Sequence, residues 1–137
     1  MLTHAIIMNT SLEWVILITE HYPAMKAFYE KTLGFPIERD VPKEEFTQFK
    51  LKNCYVAIYG KAYIEKLVGK KNTGTPGAAI YSFGESDNID LTYQQLRDKG
   101  VQFIKAPETQ LWGQRTAYFT DPDGNIWEIQ QWIKKPI

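Results

Sequence analysis

The chain has 137 residues, 16 Lys and Arg against 16 Asp and Glu, a single Cys and 14% aromatic residues. That length suits one folding unit, or two small halves sharing a core, and needs neither disulfide nor metal to stay folded. Zero net charge gives no general pull on a phosphate backbone, and no apolar run nears the roughly 18–20 residues that cross a bilayer.

No nucleic-acid or membrane partner is therefore expected. One cysteine, Cys54, makes no internal disulfide, and the start Met1 to Met8 lacks the basic residues and long apolar stretch of a secretory signal. Both fit a cytoplasmic protein. Lys61, Lys66, Lys70 and Lys71 lead into Gly74, Pro76 and Gly77 and read as a solvated loop rather than a binding face. Four Trp, eight Tyr and seven Phe remain notable, because aromatics both fill cores and line pockets for flat ligands.

In chain order, the β-branched run from Ser11 to Thr19 predicts a strand. Pro23 opens a helix whose inner face is Met25, Phe28, Tyr29, Thr32 and Leu33, and Gly34 stops it. Extended segments follow at Phe35 to Val41, Phe46 to Leu51 and Cys54 to Tyr59, the last two joined by a turn at Lys52 and Asn53. Residues 61–77 have linker character, although Tyr63, Ile64, Leu67 and Val68 suit a short helix. Ala78 to Phe83 predicts another strand, and Asp87 and Asn88 cap a helix that carries Ile89, Tyr93 and Leu96 and ends at Gly100. A weakly alternating strand runs from Val101 to Lys105. The strongest hairpin signal pairs Thr116 to Thr120 with Ile126 to Trp132 across Asp121-Pro122-Asp123-Gly124-Asn125. Strand, helix and three strands thus occur twice, an internal duplication in element order.

Two segments then stand out. Phe28-Tyr29-Glu30-Lys31-Thr32-Leu33-Gly34-Phe35 resembles the FY-x-x-x-LGF signature of the glyoxalase/bleomycin-resistance/extradiol-dioxygenase family, the vicinal oxygen chelate superfamily. The stretch from Trp112-Gly113-Gln114-Arg115 through Asp121-Pro122-Asp123-Gly124-Asn125 to Glu128-Ile129 resembles the family's WG-x-R…F-x-DP-x-GN-x-x-E ending. The resemblance spans residues 12–132. It implies an α+β fold of two tandem βαβββ modules, residues 11–60 and 78–133 about the 61–77 linker, whose curled sheets enclose a shared cavity. It does not imply one reaction, because scaffold and chemistry are separable.

Metal-dependent relatives hold a divalent ion with four inward side chains, usually His and Glu. The resemblance places those positions on Trp14, Ala57, a residue near Tyr81 or Ala79, and Glu128. Indole N–H only donates, Ala offers no ligand atom, and one carboxylate does not hold a divalent ion usefully. His4 and His21 fall outside the strands. The expectation is no metal and no cofactor, which disfavours glyoxalase or ring-cleavage chemistry. Antiparallel pairing about the Asp121 turn sets Tyr118 opposite Glu128 and Thr116 opposite Gln130. The expected lining is Trp14, Ile16, Tyr55, Tyr59, Tyr81, Trp112, Arg115, Tyr118 and Glu128. The rings either line a ligand site or plug it. Glu128 either pairs with Arg115, anchors a cationic ligand or acts as an acid/base. The reading is a metal-free protein that binds a small aromatic or amphipathic molecule, a homodimer by resemblance. The alternative is a lyase, isomerase or dioxygenase-type enzyme with an altered metal site.

Overall fold

The structure is a computed structural model and describes residues 10–76 and 79–135. His4 and Ala78 lie outside them. Strand β1 (Trp14–Thr19) leads into α1 (Tyr22–Ala27), which carries Pro23 in its first turn and continues as a π-helical turn over Phe28–Thr32. Gly34 then reverses the chain at φ +75°, a conformation that side chains with a Cβ resist. β2 (Ile37–Val41), β3 (Phe46–Lys50) and β4 (Tyr55–Gly60) follow. The expected linker holds α2 (Lys61–Val68) and a 3-10 turn over Lys70–Asn72, so the four lysines read as loop are all in helical segments. β5 (Ile80–Ser82) precedes α3 (Ile89–Asp98), where the Asn88 side chain accepts a bond from Leu91 N at 3.2 Å, the expected cap. β6 (Gln102–Thr109), β7 (Gln114–Thr120) and β8 (Ile126–Trp132) complete the chain. Among the described residues, no helix is long and apolar enough to cross a membrane.

The strands form two four-stranded sheets with the same plan, β1-β4-β3-β2 and β5-β8-β7-β6. In each, the first strand runs parallel to the last and the remaining pairs are antiparallel. The duplication inferred from element order is thus a duplication of topology. One face of each sheet packs into a common core. Leu17, Phe49, Val56 and Ile58 of the first sheet, Ala117, Phe119, Trp127 and Ile129 of the second, and Met25 and Tyr29 between them belong to one buried cluster. Most of the aromatic surplus lies here. Trp127 stacks on Phe83 at 4.7 Å and meets Tyr81 at 5.1 Å and Tyr29 at 6.0 Å. Offset and edge contacts of this kind add to the burial of large rings.

The two sequence signatures meet in this core. Tyr29 Oη donates to Asp121 Oδ2 at 2.5 Å and accepts from Trp127 Nε1 at 2.9 Å. Asp121 also accepts from the backbone N–H of Asp123 and Asn125 and from Asn125 Nδ2. The Phe-Tyr motif of one repeat is therefore bolted to the Asp-Pro turn of the other.

Among the described residues, the sheets are not curled around one shared cavity. The faces turned away from the helices carry most of the expected lining, but they belong to two separate sheets. A cavity of about 580 Å³ does draw on both repeats, yet it lies on the helix side, among Val15, Phe35, Val56, Phe83 and Trp127, and takes in only Tyr81 of the expected lining. The physical reason is that each sheet has its own helix-side face to bury, and burying both against one core turns the opposite faces outward.

Candidate functional site

Strand alternation sorts the expected site residues. On the first sheet, Val15, Leu17, Thr47, Phe49, Val56 and Ile58 face the core, so Trp14, Ile16, Gln48, Tyr55, Ala57 and Tyr59 share the open face. Register arranges them in rows: Trp14 beside Tyr55 and Lys50, Ile16 beside Ala57 and Gln48, and Ile18 beside Tyr59 and Phe46. The Trp14 and Tyr55 rings lie 5.0 Å apart, as do those of Phe46 and Tyr59. Ala57 is fully buried beneath these larger neighbours, while Trp14 is 37% and Ile16 46% exposed.

On the second sheet the open face carries Ser82, Gln114, Thr116, Tyr118, Glu128 and Gln130. The hairpin register is the expected one, with Tyr118 opposite Glu128 and Thr116 opposite Gln130. Glu128 is held at both oxygens: Ser82 Oγ donates to Oε1 and Tyr118 Oη to Oε2, each at 2.6 Å. Burial pushes the Tyr118 hydroxyl pKa up, and the bond to the Glu128 carboxylate adds to it. Tyr118 therefore stays a proton donor to Glu128 at neutral pH. Trp112, more than half exposed, donates to Gln114, which donates to Gln130, which in turn donates to the carbonyl of Phe83. This amide chain links the Trp112 turn to the edge of the Glu128 site.

Two expectations are corrected. Tyr81 does not share a face with Glu128. It packs on Trp127 in the core side of the sheet, and Ser82 stands beside Glu128 instead. One residue of parity along a three-residue strand decides this. Arg115 does not pair with Glu128 either, because it alternates onto the helix side. There Nε and Nη2 grip both oxygens of Asp90 at 3.1 and 2.9 Å, and Nη1 donates to Thr109. The Arg115 bond holds the Asp90 carboxyl below its ordinary value. For Asp40, burial opposes the charge, but bonds from Lys26 and Thr47 outweigh it and hold that carboxyl low as well.

Carboxylates depressed in the fold contribute stability above their unfolded value, and lose it as pH falls through that value into the folded one. Acid weakening is thus expected from about pH 4 downward. Asp90→Asn should cost less than about 1 kcal/mol at pH 7, since the pair is largely exposed, and should flatten the acid limb. Urea unfolding at pH 7 and pH 3 checks both; an unchanged acid limb would count against the pair's contribution.

The divalent metal that the fold family brings with it can be tested against the donors present. Near the family positions, the open faces offer Trp14, Ile16 and Ala57 on one sheet and Ile80, Ser82 and Glu128 on the other. Only Glu128 supplies a carboxylate; Ser82 and, nearby on the two open faces, Tyr118 and Gln48 add neutral oxygens, and none is an imidazole or thiolate. No three His, Cys, Asp or Glu side chains converge in a metal-holding geometry among the described residues. This donor set does not fit a divalent ion. His21 is engaged elsewhere, its Nδ1 2.8 Å from Asp123 Oδ1.

Ser82 and Gln48 were missed at the sequence level. The hairpin register about Lys52 and Asn53 was a signal for Gln48 opposite Ala57, whereas Ser82 had none, because the β5–β8 pairing is parallel and set by no turn. Tyr29 was assigned to the core only, although its hydroxyl completes the link to Asp121.

Comparison with known proteins agrees with this architecture. The chain is 26% identical over 121 residues to the uncharacterized protein YraH of Bacillus subtilis (strain 168), covering 85% of this chain and 94% of that one. It is 29% identical over 117 residues to biphenyl-2,3-diol 1,2-dioxygenase 3 of Rhodococcus globerulus, covering 84% of this chain and 60% of the dioxygenase. Among solved structures, a glyoxalase/bleomycin resistance protein/dioxygenase from Nocardioides superposes with a TM-score of 0.78 at 24% identity, over 96% of this chain and 91% of that one. Lactoylglutathione lyase from Agrobacterium tumefaciens superposes at 0.73 with 14% identity, over 90% and 94%. The model of the Glyoxalase/Bleomycin resistance protein/Dioxygenase superfamily matches residues 11–129, and the chain belongs to that superfamily.

Proposed function

We propose that this protein binds a small aromatic or amphipathic molecule on the open faces of its sheets without a metal ion. The observation that carries the reading is the residue set at the family's metal positions. Three of the four expected positions have lost their donors, and the surviving carboxylate, Glu128, is already held by Ser82 and Tyr118. What stands there instead is aromatic surface, Trp14 against Tyr55 and Tyr59 against Phe46. Apolar walls with a few placed polar groups suit small-molecule recognition. Each Glu128 oxygen keeps acceptor capacity beyond its one bond, so it serves as a polar anchor for a ligand donor.

A homodimer belongs to this reading. β1 and β5 are edge strands, and Trp14, Ile16 and Ile80 along them, with Leu12 just before β1, are exposed. Unpaired apolar edges favour pairing with another chain. Ile80→Lys should then shift the sedimentation coefficient from dimer to monomer. An unchanged coefficient would remove the β5 edge from the interface.

The binding test is calorimetric titration of chelator-stripped protein with a panel of aromatic ligands, repeated after adding Mn, Fe, Ni or Zn. Binding is expected without metal and unchanged by it. Stoichiometric metal that survives dialysis and is lost in Glu128→Ala would overturn the reading in favour of a metal-dependent lyase or dioxygenase.

A further inference from the structure

The cavity of about 580 Å³ on the helix side belongs to neither open face and is bounded by both repeats. Val15, Leu51 and Val56 give it an aliphatic wall from the first repeat, and Tyr81, Phe83 and Trp127 an aromatic wall from the second. Val56 and Trp127 are buried at its floor, whereas Leu12, Lys52, Asn53 and Ile80 are exposed and mark its mouth. Protein interiors are otherwise packed with few voids larger than a water molecule. This space has the size that takes a drug-sized ligand, and its mainly apolar walls hold water poorly. The rings do not collapse into it because they are committed to one another. Phe83 stacks on Trp127 at 4.7 Å, and Tyr81 and Phe35 meet the same indole at 5.1 and 6.5 Å. Swinging into the hollow would forfeit those contacts.

Charge selects among the molecules that would fit. Among the described residues no Asp or Glu lines the cavity, and its one charged side chain, Lys52, makes no ion pair. Asn53 beside it adds a neutral amide. A cationic ligand would meet a like charge there, and a neutral hydrocarbon would leave the ammonium unused. An anion gains a charge-assisted hydrogen bond at the mouth while its apolar body fills the hollow.

We propose that this cavity is a second small-molecule site and takes an amphipathic carboxylate. The hydrocarbon body lies between the aliphatic and aromatic walls, and the carboxylate accepts from Lys52 and the Asn53 amide at the mouth. Glu128 and Tyr118 stand on the opposite face of the second sheet and take no part. The proposal therefore goes beyond the open-face reading and does not depend on it.

Cys54 is the only cysteine of the chain and lines this cavity, so its alkylation by N-ethylmaleimide reports on this site alone. The probes are 4-phenylbutyrate, 4-phenylbutyramide and 4-phenylbutylamine, titrated into the full chain by calorimetry, with alkylation followed by mass. The carboxylate is expected to bind about fivefold or more tighter than the other two and to slow Cys54 labelling in step with occupancy. Lys52→Gln should weaken it about fivefold, and Glu128→Gln should leave it unchanged. Val15→Phe places a ring in the hollow. It should abolish both binding and Cys54 protection while melting within a few degrees of the parent, because a filled cavity is not strained. A large fall in its melting temperature would show that there is no room for a ring and overturn the proposal. Equal affinity for all three probes, or indifference to Lys52→Gln, would overturn the choice of an anion. Binding that leaves Cys54 labelling unchanged, or that is lost in Glu128→Gln, would put the ligand on an open face, sinking this proposal and leaving the earlier reading intact. Cys54 that reacts only in Ile80→Lys would mean that a second copy covers the cavity, and would sink it as well. So would binding of none of the three probes.

Discussion

Asp121→Ala should destabilise the protein by about 3–5 kcal/mol, a large part of the 5–15 kcal/mol that holds a domain of this kind together. The carboxylate is 4% exposed and accepts from Tyr29 Oη, Asn125 Nδ2 and the backbone N–H groups of Asp123 and Asn125. Alanine strands four donors at once, three of them in the turn that sets the β7–β8 register. It also unlocks Tyr29, which carries the Trp127 indole N–H as a second bond. Thermal unfolding should shift down by on the order of 10–20 °C. Tyr29→Phe leaves the other three Asp121 bonds in place and should cost less, about 1–3 kcal/mol. A melting temperature for Asp121→Ala within a couple of degrees of the parent would show that the link between repeats carries no stability. A fall equal to that of Tyr29→Phe would show that the turn bonds are idle.

The same link makes stability fall in alkali. Burial pushes the Tyr29 hydroxyl pKa far up, and the neighbouring Asp121 carboxylate pushes it further. The folded state thus keeps a proton that the unfolded chain gives up near pH 10. The contribution is fully present below that value and declines above it. One proton's difference corresponds to about 1.4 kcal/mol lost per pH unit. Tyr118, raised by burial and Glu128, and Lys26, raised by its bond to Asp40, act in the same direction and window. Urea unfolding free energies measured from pH 8 to 12 should show this slope, and Tyr29→Phe should reduce it by one proton. An identical slope in parent and variant would refute the assignment.

These expectations also bear on how far the two signatures are functional. Phe-Tyr and Asp-Pro-Asp-Gly-Asn are the most recognisable segments of the chain, yet the Tyr29 hydroxyl, the Asp121 carboxylate and the Asn125 amide are turned into the core and onto each other. Recognition by such motifs identifies a scaffold. Under the proposed reading, the open-face residues that would meet a ligand, Trp14 and Ser82 among them, have no motif around them.

What the amino-acid order determined by itself was local. The helix stops at Gly34 and Gly100, the Asn88 cap, and the pairing of Tyr118 with Glu128 and Thr116 with Gln130 were all legible, because a tight turn fixes the register of the strands beside it. The doubled element order was legible from the apolar runs and the turn residues that separate them. Parallel pairing has no turn to set it. β5 reaches β8 only through a crossover, so whether Tyr81 or Ser82 meets Glu128 depended on how the sheet packs over the core. The partner of Arg115 was equally non-local, since Asp90 lies on a helix that register alone does not place. The tertiary structure also decided the distribution of the aromatic residues. Most are core, because two sheets that bury their helix sides together need large rings to fill the space between them. Trp14, Tyr55, Phe46 and Tyr59 remain on an open face, where alternation along β1, β3 and β4 leaves them.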